Sequence, residues 1–309
     1  MEEAIKKSLY NQGYRFVGEH SAVKICLWCK KAIRNQDSCY KHKFYGIESW
    51  RCVQASVTLD VCNHKCSFCW RDLNYTNKSI KKLDEPKEIL DGLIKAHKEV
   101  LQGFWGSENI DKVKLKEAMA PKHIALSLTG ETCLYNKLPE LVDEIHKRKM
   151  TCFVVTNGTV PGMLKKLIKH KPTQLYITLA APDKEVYSRV CNPVIKNGWE
   201  NIQKSLNLLG KFERGTVRLT LAKDMNFLYP EKYAEILKNV KFKFLEVKAA
   251  MSVGYARQRM EYKQMPFHEE IKEFAKKIGD RIGWKIVDEQ KESRVVLLMK
   301  EDKDRKLRF

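Results

Sequence analysis

VCNHKCSFCWRD (residues 61–72) places Cys62, Cys66 and Cys69 in the spacing Cys-x3-Cys-x2-Cys, with no fourth cysteine close behind. A structural zinc site wants four protein ligands and usually draws them from Cys-x2-Cys pairs. A four-iron cluster also has four metal corners, usually all held by thiolates. Either His64 or a distant cysteine completes the set, or one coordination position is left open for a small molecule. The run ASVTLD at 55–60 reads as a strand, so the cysteines occupy the loop that follows it.

Along the rest of the chain one rhythm repeats. The short apolar runs HIALSLTG (123–130), CFVVTNG (152–158), QLYITLA (174–180), TVRLTLA (216–222) and FKFLEVKAAM (242–251) alternate with amphipathic stretches such as LPELVDEIHKRK and EKYAEILKNV. That alternation predicts a parallel sheet with crossover helices. With 55–60 it makes six strand–helix units, short of a closed eight-unit barrel. The stretch 284–300 reads as two further strands. The expected fold is α/β: a partial (β/α)6 TIM-like barrel over 55–309, with a Cys-rich N-terminal extension over 1–54 and a short C-terminal β addition. In such sheets ligands gather at the carboxyl ends of the strands. Here those ends carry VCNHKC, TGET, TNG and APD.

Composition narrows the function. No apolar run approaches the roughly 18 residues of a membrane span, and MEEAIKKSLYNQGY lacks the apolar stretch of a signal peptide, so a cytoplasmic protein is expected. Seven of the ten cysteines lie between Cys26 and Cys69. In a reducing compartment such clustering points to metal ligation rather than disulfides. Lys plus Arg number 58 against 38 Asp plus Glu, a net charge of +20. Many charges suit any highly soluble protein, but a surplus of this size attracts a polyanion, most commonly nucleic acid.

The cysteine triplet after the first strand of a βα barrel resembles the radical S-adenosylmethionine enzymes, over roughly residues 55–251. That resemblance implies a [4Fe-4S] cluster on Cys62, Cys66 and Cys69, whose open iron takes the methionine part of S-adenosylmethionine. One-electron cleavage then yields a carbon radical that removes a hydrogen atom from substrate. It also implies an aromatic contact on the adenine side from Phe68, ammonium recognition by Gly130 and Glu131, and polar contacts from Asn157 and Thr178. Taken as residues alone, Asn157-Gly158 is an ordinary turn and Thr178 a strand hydroxyl.

Upstream, Cys26, Cys39 and Cys52 are separated by twelve residues each, in the contexts KICLWCKKAI, CYKHKFYGI and WRC. With FCWRD downstream, this pattern resembles the 4-demethylwyosine synthase family of tRNA modification over essentially the whole chain. The likeness implies a second [4Fe-4S] cluster on Cys26, Cys39 and Cys52. It implies as substrates pyruvate and N1-methylguanosine-37 in the anticodon loop of phenylalanine tRNA. Lys41 is then a candidate for an imine with the keto group of pyruvate, since accessible lysine amines form Schiff bases with carbonyls. Two positions depart from the pattern: Cys29, which with Cys26, Cys39 and Cys52 could complete a four-thiolate zinc knuckle, and Trp50, where a histidine is expected. Lys43, Phe44, Tyr45, Trp70 and Arg71 suit an unstacked anticodon base and its phosphates. A monomer served by an external electron donor, a flavodoxin or ferredoxin, is expected. The rival readings are a radical activase acting on a protein glycine and a zinc-stabilised RNA-binding protein without catalysis.

Overall fold

The computed structural model describes residues 3–308. Six parallel strands form the middle of one sheet: β3 (Cys52–Ser56), β4 (His123–Leu126), β5 (Thr151–Thr156), β6 (Gln174–Thr178), β7 (Gly215–Leu221) and β8 (Phe244–Ala249). Two antiparallel pairs extend it, β1 (Arg15–Val17) with β2 (Ser21–Val23) beside β3, and β9 (Lys285–Gln290) with β10 (Val295–Met299) beside β8. The order across the sheet is β1-β2-β3-β4-β5-β6-β7-β8-β10-β9. The expected partial barrel, with its two-strand addition, is therefore the fold.

Period-two alternation sorts each strand between two environments. Cys152 and Val154 of β5, Leu175 and Ile177 of β6, and Leu245 and Val247 of β8 join the outer core against the helices. Phe153, Tyr176 and Phe244 turn the other way, into the barrel. Helix α4 (Pro86–Gln102) illustrates how the outer layer forms. Proline opens its first turn, where the missing N–H costs nothing, and Ile89, Leu90, Leu93, Ala96, His97 and Leu101 make one buried stripe. The crossovers between later strands are α6 (Leu138–Lys147), α7 (Pro161–Leu167), α8 (Lys184–Cys191) with α9 (Gly198–Leu208), α10 (Pro230–Lys238) and α11 (His268–Ile282), while α5 (Lys112–Ala118) precedes β4.

The N-terminal segment contributes α1 (Glu3–Asn11), α2 (Leu27–Ile33) and the short α3 (Tyr40–Tyr45). Tyr40, Phe44 and Tyr45 of α3 are buried against Ala125, Phe153, Tyr176 and Phe244, so this helix plugs the barrel interior. The compositional boundary between residues 54 and 55 falls inside β3, and β1 and β2 belong to the same sheet. The strand expected over 55–60 also ends early, at Ser56. Its hydroxyl accepts the Thr58 N–H at 3.1 Å and donates to the Thr129 carbonyl at 2.7 Å, which turns the chain out of the sheet.

Candidate active site

The rim loops are assembled around Glu131. Buried at 2% exposure, its carboxylate accepts the Cys133 N–H (2.9 Å), the Thr156 hydroxyl (2.5 Å) and the Asn157 N–H (2.7 Å). Burial pushes its pKa up while these donors oppose the shift. The Glu131 N–H donates to the Val61 carbonyl at 2.9 Å, joining this loop to the cysteine loop. Asn157 donates from its side chain to Asn63 at 2.7 Å, and Asn63 to Thr159 at 2.6 Å. The loops after β3, β4 and β5 are thereby fixed to one another. Gly130 has φ +76°, and a Cβ there would meet the Thr58 carbonyl oxygen at 1.8 Å, so only glycine permits this approach.

Around the first triplet, Phe68 packs on the cluster of Ala222, Ala250, Met260 and Met265. Thr178 ends β6 in register with Arg218. Arg259 donates to the carbonyls of Cys69 and Arg71 at 2.5 and 3.1 Å. Arg71 is buried and keeps one guanidinium nitrogen without a partner among the described residues. It lies within electrostatic reach of Cys62 and Cys69. A buried guanidinium with one nitrogen unpartnered among the described residues, beside half-buried thiols, fits an anionic group seated there.

Of the second triplet, Cys39 and Cys52 pack on the barrel-interior cluster and Cys26 on the apolar cluster beside α2. Cys26 precedes α2, Cys39 precedes α3 and Cys52 opens β3. These thiols lie within electrostatic reach of one another and of Lys41. Burial pushes up Cys39, Cys52, Cys69, Cys26 (to about 11) and Cys62 (to about 12). Cys66 is raised first by its hydrogen bond with Cys191 and then by burial. Thiolates therefore form here against a cation. Four thiolates on zinc at about 2.3 Å stand about 3.8 Å apart. Among the described residues, neither triplet brings its three sulfurs within 4.8 Å of one another. Neither triplet is therefore gathered around a single ion. Cys29, fully buried in an apolar cluster with Ile25, Ile33, Leu101 and Leu115, lies within electrostatic reach of Cys26, Cys39 and Cys52. Its N–H donates to Cys26 Sγ at 3.2 Å. Trp50, in the place of the expected histidine, donates its indole N–H to Glu117 at 2.7 Å.

Lys41 is 7% exposed, with Nζ 5.0 Å from the Phe153 ring centre and 4.8 Å from that of Tyr176. Burial lowers its pKa, and Arg218 lowers it further. Beside it stands a network that the sequence reading did not single out. Glu246, fully buried, accepts from Tyr45 (2.7 Å), Tyr40 (3.2 Å) and Arg218 (2.9 Å). Lys248 lies 5.7 Å from the Tyr40 ring centre, and burial followed by Arg218 pushes it down to about 8. The signal that could have found these residues is alternation: in TVRLTL and FLEVKA, Arg218, Glu246 and Lys248 share the inward parity of Tyr176 and Phe244. The inward face thus gathers cations, one carboxylate and the thiols of Cys39 and Cys52 beside α3.

Residues 56–238 match the family described as the Radical SAM superfamily, and residues 241–300 the one described as Wyosine base formation. The S-adenosyl-L-methionine-dependent tRNA 4-demethylwyosine synthase of Pyrococcus abyssi is 44% identical, over 98% of this chain and 91% of that relative. Its counterpart from Methanocaldococcus jannaschii is 37% identical, over 97% of each. A solved structure of TYW1 with a lysine–pyruvate adduct bound superposes with a TM-score of 0.89 at 36% identity, covering 99% of this chain and 98% of the other.

Proposed function

Because this chain belongs to the radical SAM superfamily and, within it, to the tRNA 4-demethylwyosine synthases, we propose that it joins pyruvate to N1-methylguanosine-37 of phenylalanine tRNA to build a tricyclic base. The observation that carries this reading is the buried amine of Lys41, inside a barrel whose rim bears the first cysteine triplet. A lysine–pyruvate adduct in a relative aligned over nearly the whole chain supports it.

Cys62, Cys66 and Cys69 would hold one [4Fe-4S] cluster, and Cys26, Cys39 and Cys52 a second. With S-adenosylmethionine bound, the first cluster would supply one-electron radical chemistry, the tool needed for an unactivated N-methyl group. The chain's own residues do the rest. The rim built on Gly130 and Glu131 presents Phe68, Asn157 and Thr178 to the cosubstrate. Lys41 adds to the keto carbon of pyruvate and water leaves, giving an imine; the aromatic faces of Phe153 and Tyr176 shield it from hydrolysis. Arg218 and Lys248 offer cationic partners to the carboxylate of the same substrate. Trp70, 38% exposed, and the surplus of Lys and Arg suit an extruded base and its phosphates. Electrons come from a separate flavodoxin or ferredoxin, and the enzyme works as a cytoplasmic monomer. No helix among the described residues is long and apolar enough to cross a membrane.

Borohydride added to the cluster-loaded protein with pyruvate tests this. One reduced adduct is expected on the peptide that contains Lys41, and none in Lys41→Arg. An adduct on Lys248 instead, or equal trapping in Lys41→Arg, overturns the assignment.

A further inference from the structure

Among the described residues, one group of metal-ligand side chains has all three ligand atoms within 4.8 Å of one another: His64, Cys66 and Cys191. Cys66 is a candidate cluster ligand, whereas His64 and Cys191 have no part in the chemistry proposed above. Cys191 comes from the last turn of α8, far along the chain, so no local spacing motif announces the group.

The group is held in place by the backbone. The Lys65 N–H donates to the Cys191 carbonyl at 3.0 Å, the Ser67 N–H to the Val190 carbonyl at 2.9 Å, and the Val194 N–H to the Asn63 carbonyl at 3.0 Å. The cysteine loop is thus laced to the end of α8. One turn back on that helix, the Tyr187 hydroxyl shares a 2.7 Å hydrogen bond with His64 Nε2. That hydroxyl has its own seat: a Cβ on Gly198 would come within 1.9 Å of it. With Nε2 engaged, Nδ1 is the imidazole nitrogen left for a metal. A histidine oriented through its second nitrogen is the usual outer support of a metal ligand.

Two thiolates and one imidazole form a known zinc donor set, with the fourth tetrahedral position left to water. Donors on one zinc stand nearer than the limit above, about 3.3 to 3.8 Å apart from bond lengths of about 2.0 to 2.3 Å, so small side-chain rotations complete the site. We propose that the cluster-free chain binds one zinc-class divalent ion on His64, Cys66 and Cys191, and that this ion competes with the radical-site cluster for Cys66. Binding releases the protons of both thiols and involves no change of oxidation state. The competition, unlike the ion site, rests on the reading of Cys66 as a cluster ligand.

Cobalt(II), a coloured stand-in for zinc, tests the site in the reduced, cluster-free full chain under anaerobic conditions. Cys191→Ser is expected to bind one equivalent fewer than the parent, with loss of the matching thiolate charge-transfer absorption. The same variant should still take up iron and sulfide as the parent does, which checks its folding. Cys62→Ser should keep that cobalt while losing its radical-site cluster. Tyr187→Phe should weaken the cobalt about 10- to 100-fold, the range for an outer partner. Equal cobalt binding by Cys191→Ser and the parent, or loss of this equivalent in Cys62→Ser, overturns the site. A second arm addresses competition: zinc added first should slow iron–sulfur loading of the parent and leave Cys191→Ser unaffected. Equal slowing in both overturns the competition.

Discussion

Glu246→Gln removes one charge from the barrel interior with almost no change in shape, and its cost can be worked from the contacts. Glu246 is fully buried and takes hydrogen bonds from Tyr40, Tyr45 and Arg218, while the Arg218 side chain is 13% exposed. The Arg218 guanidinium stays charged in the variant, because arginine is not deprotonated in proteins. Removing one member of such a pair strands the other, which costs about 3–5 kcal/mol. With a urea slope of about 3 kcal/mol per molar, the unfolding midpoint of the cluster-free chain should fall by more than about 1 M at unchanged slope. In Glu246→Gln/Arg218→Met no member of the pair keeps a buried charge, and most of that loss should return. A midpoint shift below about 0.3 M for the single variant, or simple additivity in the double, refutes the account of Glu246 as the counter-charge of Arg218.

Other outcomes follow from the same structure. The His123 ring is fully buried, accepts the Glu48 N–H at 3.1 Å, and is pushed from 6.5 to about 3, first by burial and then by Lys122, Arg51 and Lys41. Its folded pKa is depressed, so its contribution is whole above about pH 6.5 and is lost as pH falls toward about 3, by up to about 1.4 kcal/mol per unit. The stability gap between the parent and His123→Gln, read from urea midpoints at about pH 7 and about pH 4.5, should therefore shrink at the lower pH. Gly130→Ala should displace the Thr58 loop, because backbone rather than a flexible tip meets the new Cβ; S-adenosylmethionine binding by calorimetry should drop at least about tenfold, with Ser127→Ala as the comparison. After anaerobic reconstitution the parent should carry about eight irons and the Cys62, Cys66 and Cys69 triple alanine variant about four. About four irons plus about one zinc in the parent would instead move the upstream cysteines into a structural role.

The barrel is legible in the sequence because its strands are short, β-branched and separated by amphipathic helices, so one periodicity announces both layers. The edges are not. β1 and β2 are three residues each, too short for alternation to speak, and only pairing with β3 makes them strands. A boundary at 54/55 follows cysteine content, yet Cys52 begins the first barrel strand; chemistry and topology overlap there. The triplets stand out by their spacing, and Lys41 by the family resemblance of its CYKHK context. Arg218, Glu246 and Lys248 lie hidden among 58 basic and 38 acidic residues, because nothing but inward parity separates them from surface charges. The partnership of His64 with Cys191 depends on α8 returning to the first loop, which no short window of sequence encodes.

The strand order has a consequence for synthesis. From β1 to β8 each strand pairs with the one made just before it, so every new strand leaving the ribosome finds a finished edge waiting. The rule breaks once: β10 slips between β8 and β9. Until Val295–Met299 has emerged, β8 offers a bare row of amides to any neighbouring chain. The last hairpin is therefore a built-in closure, and a ribosome stalled before it would release a chain with its sheet still open to strand exchange.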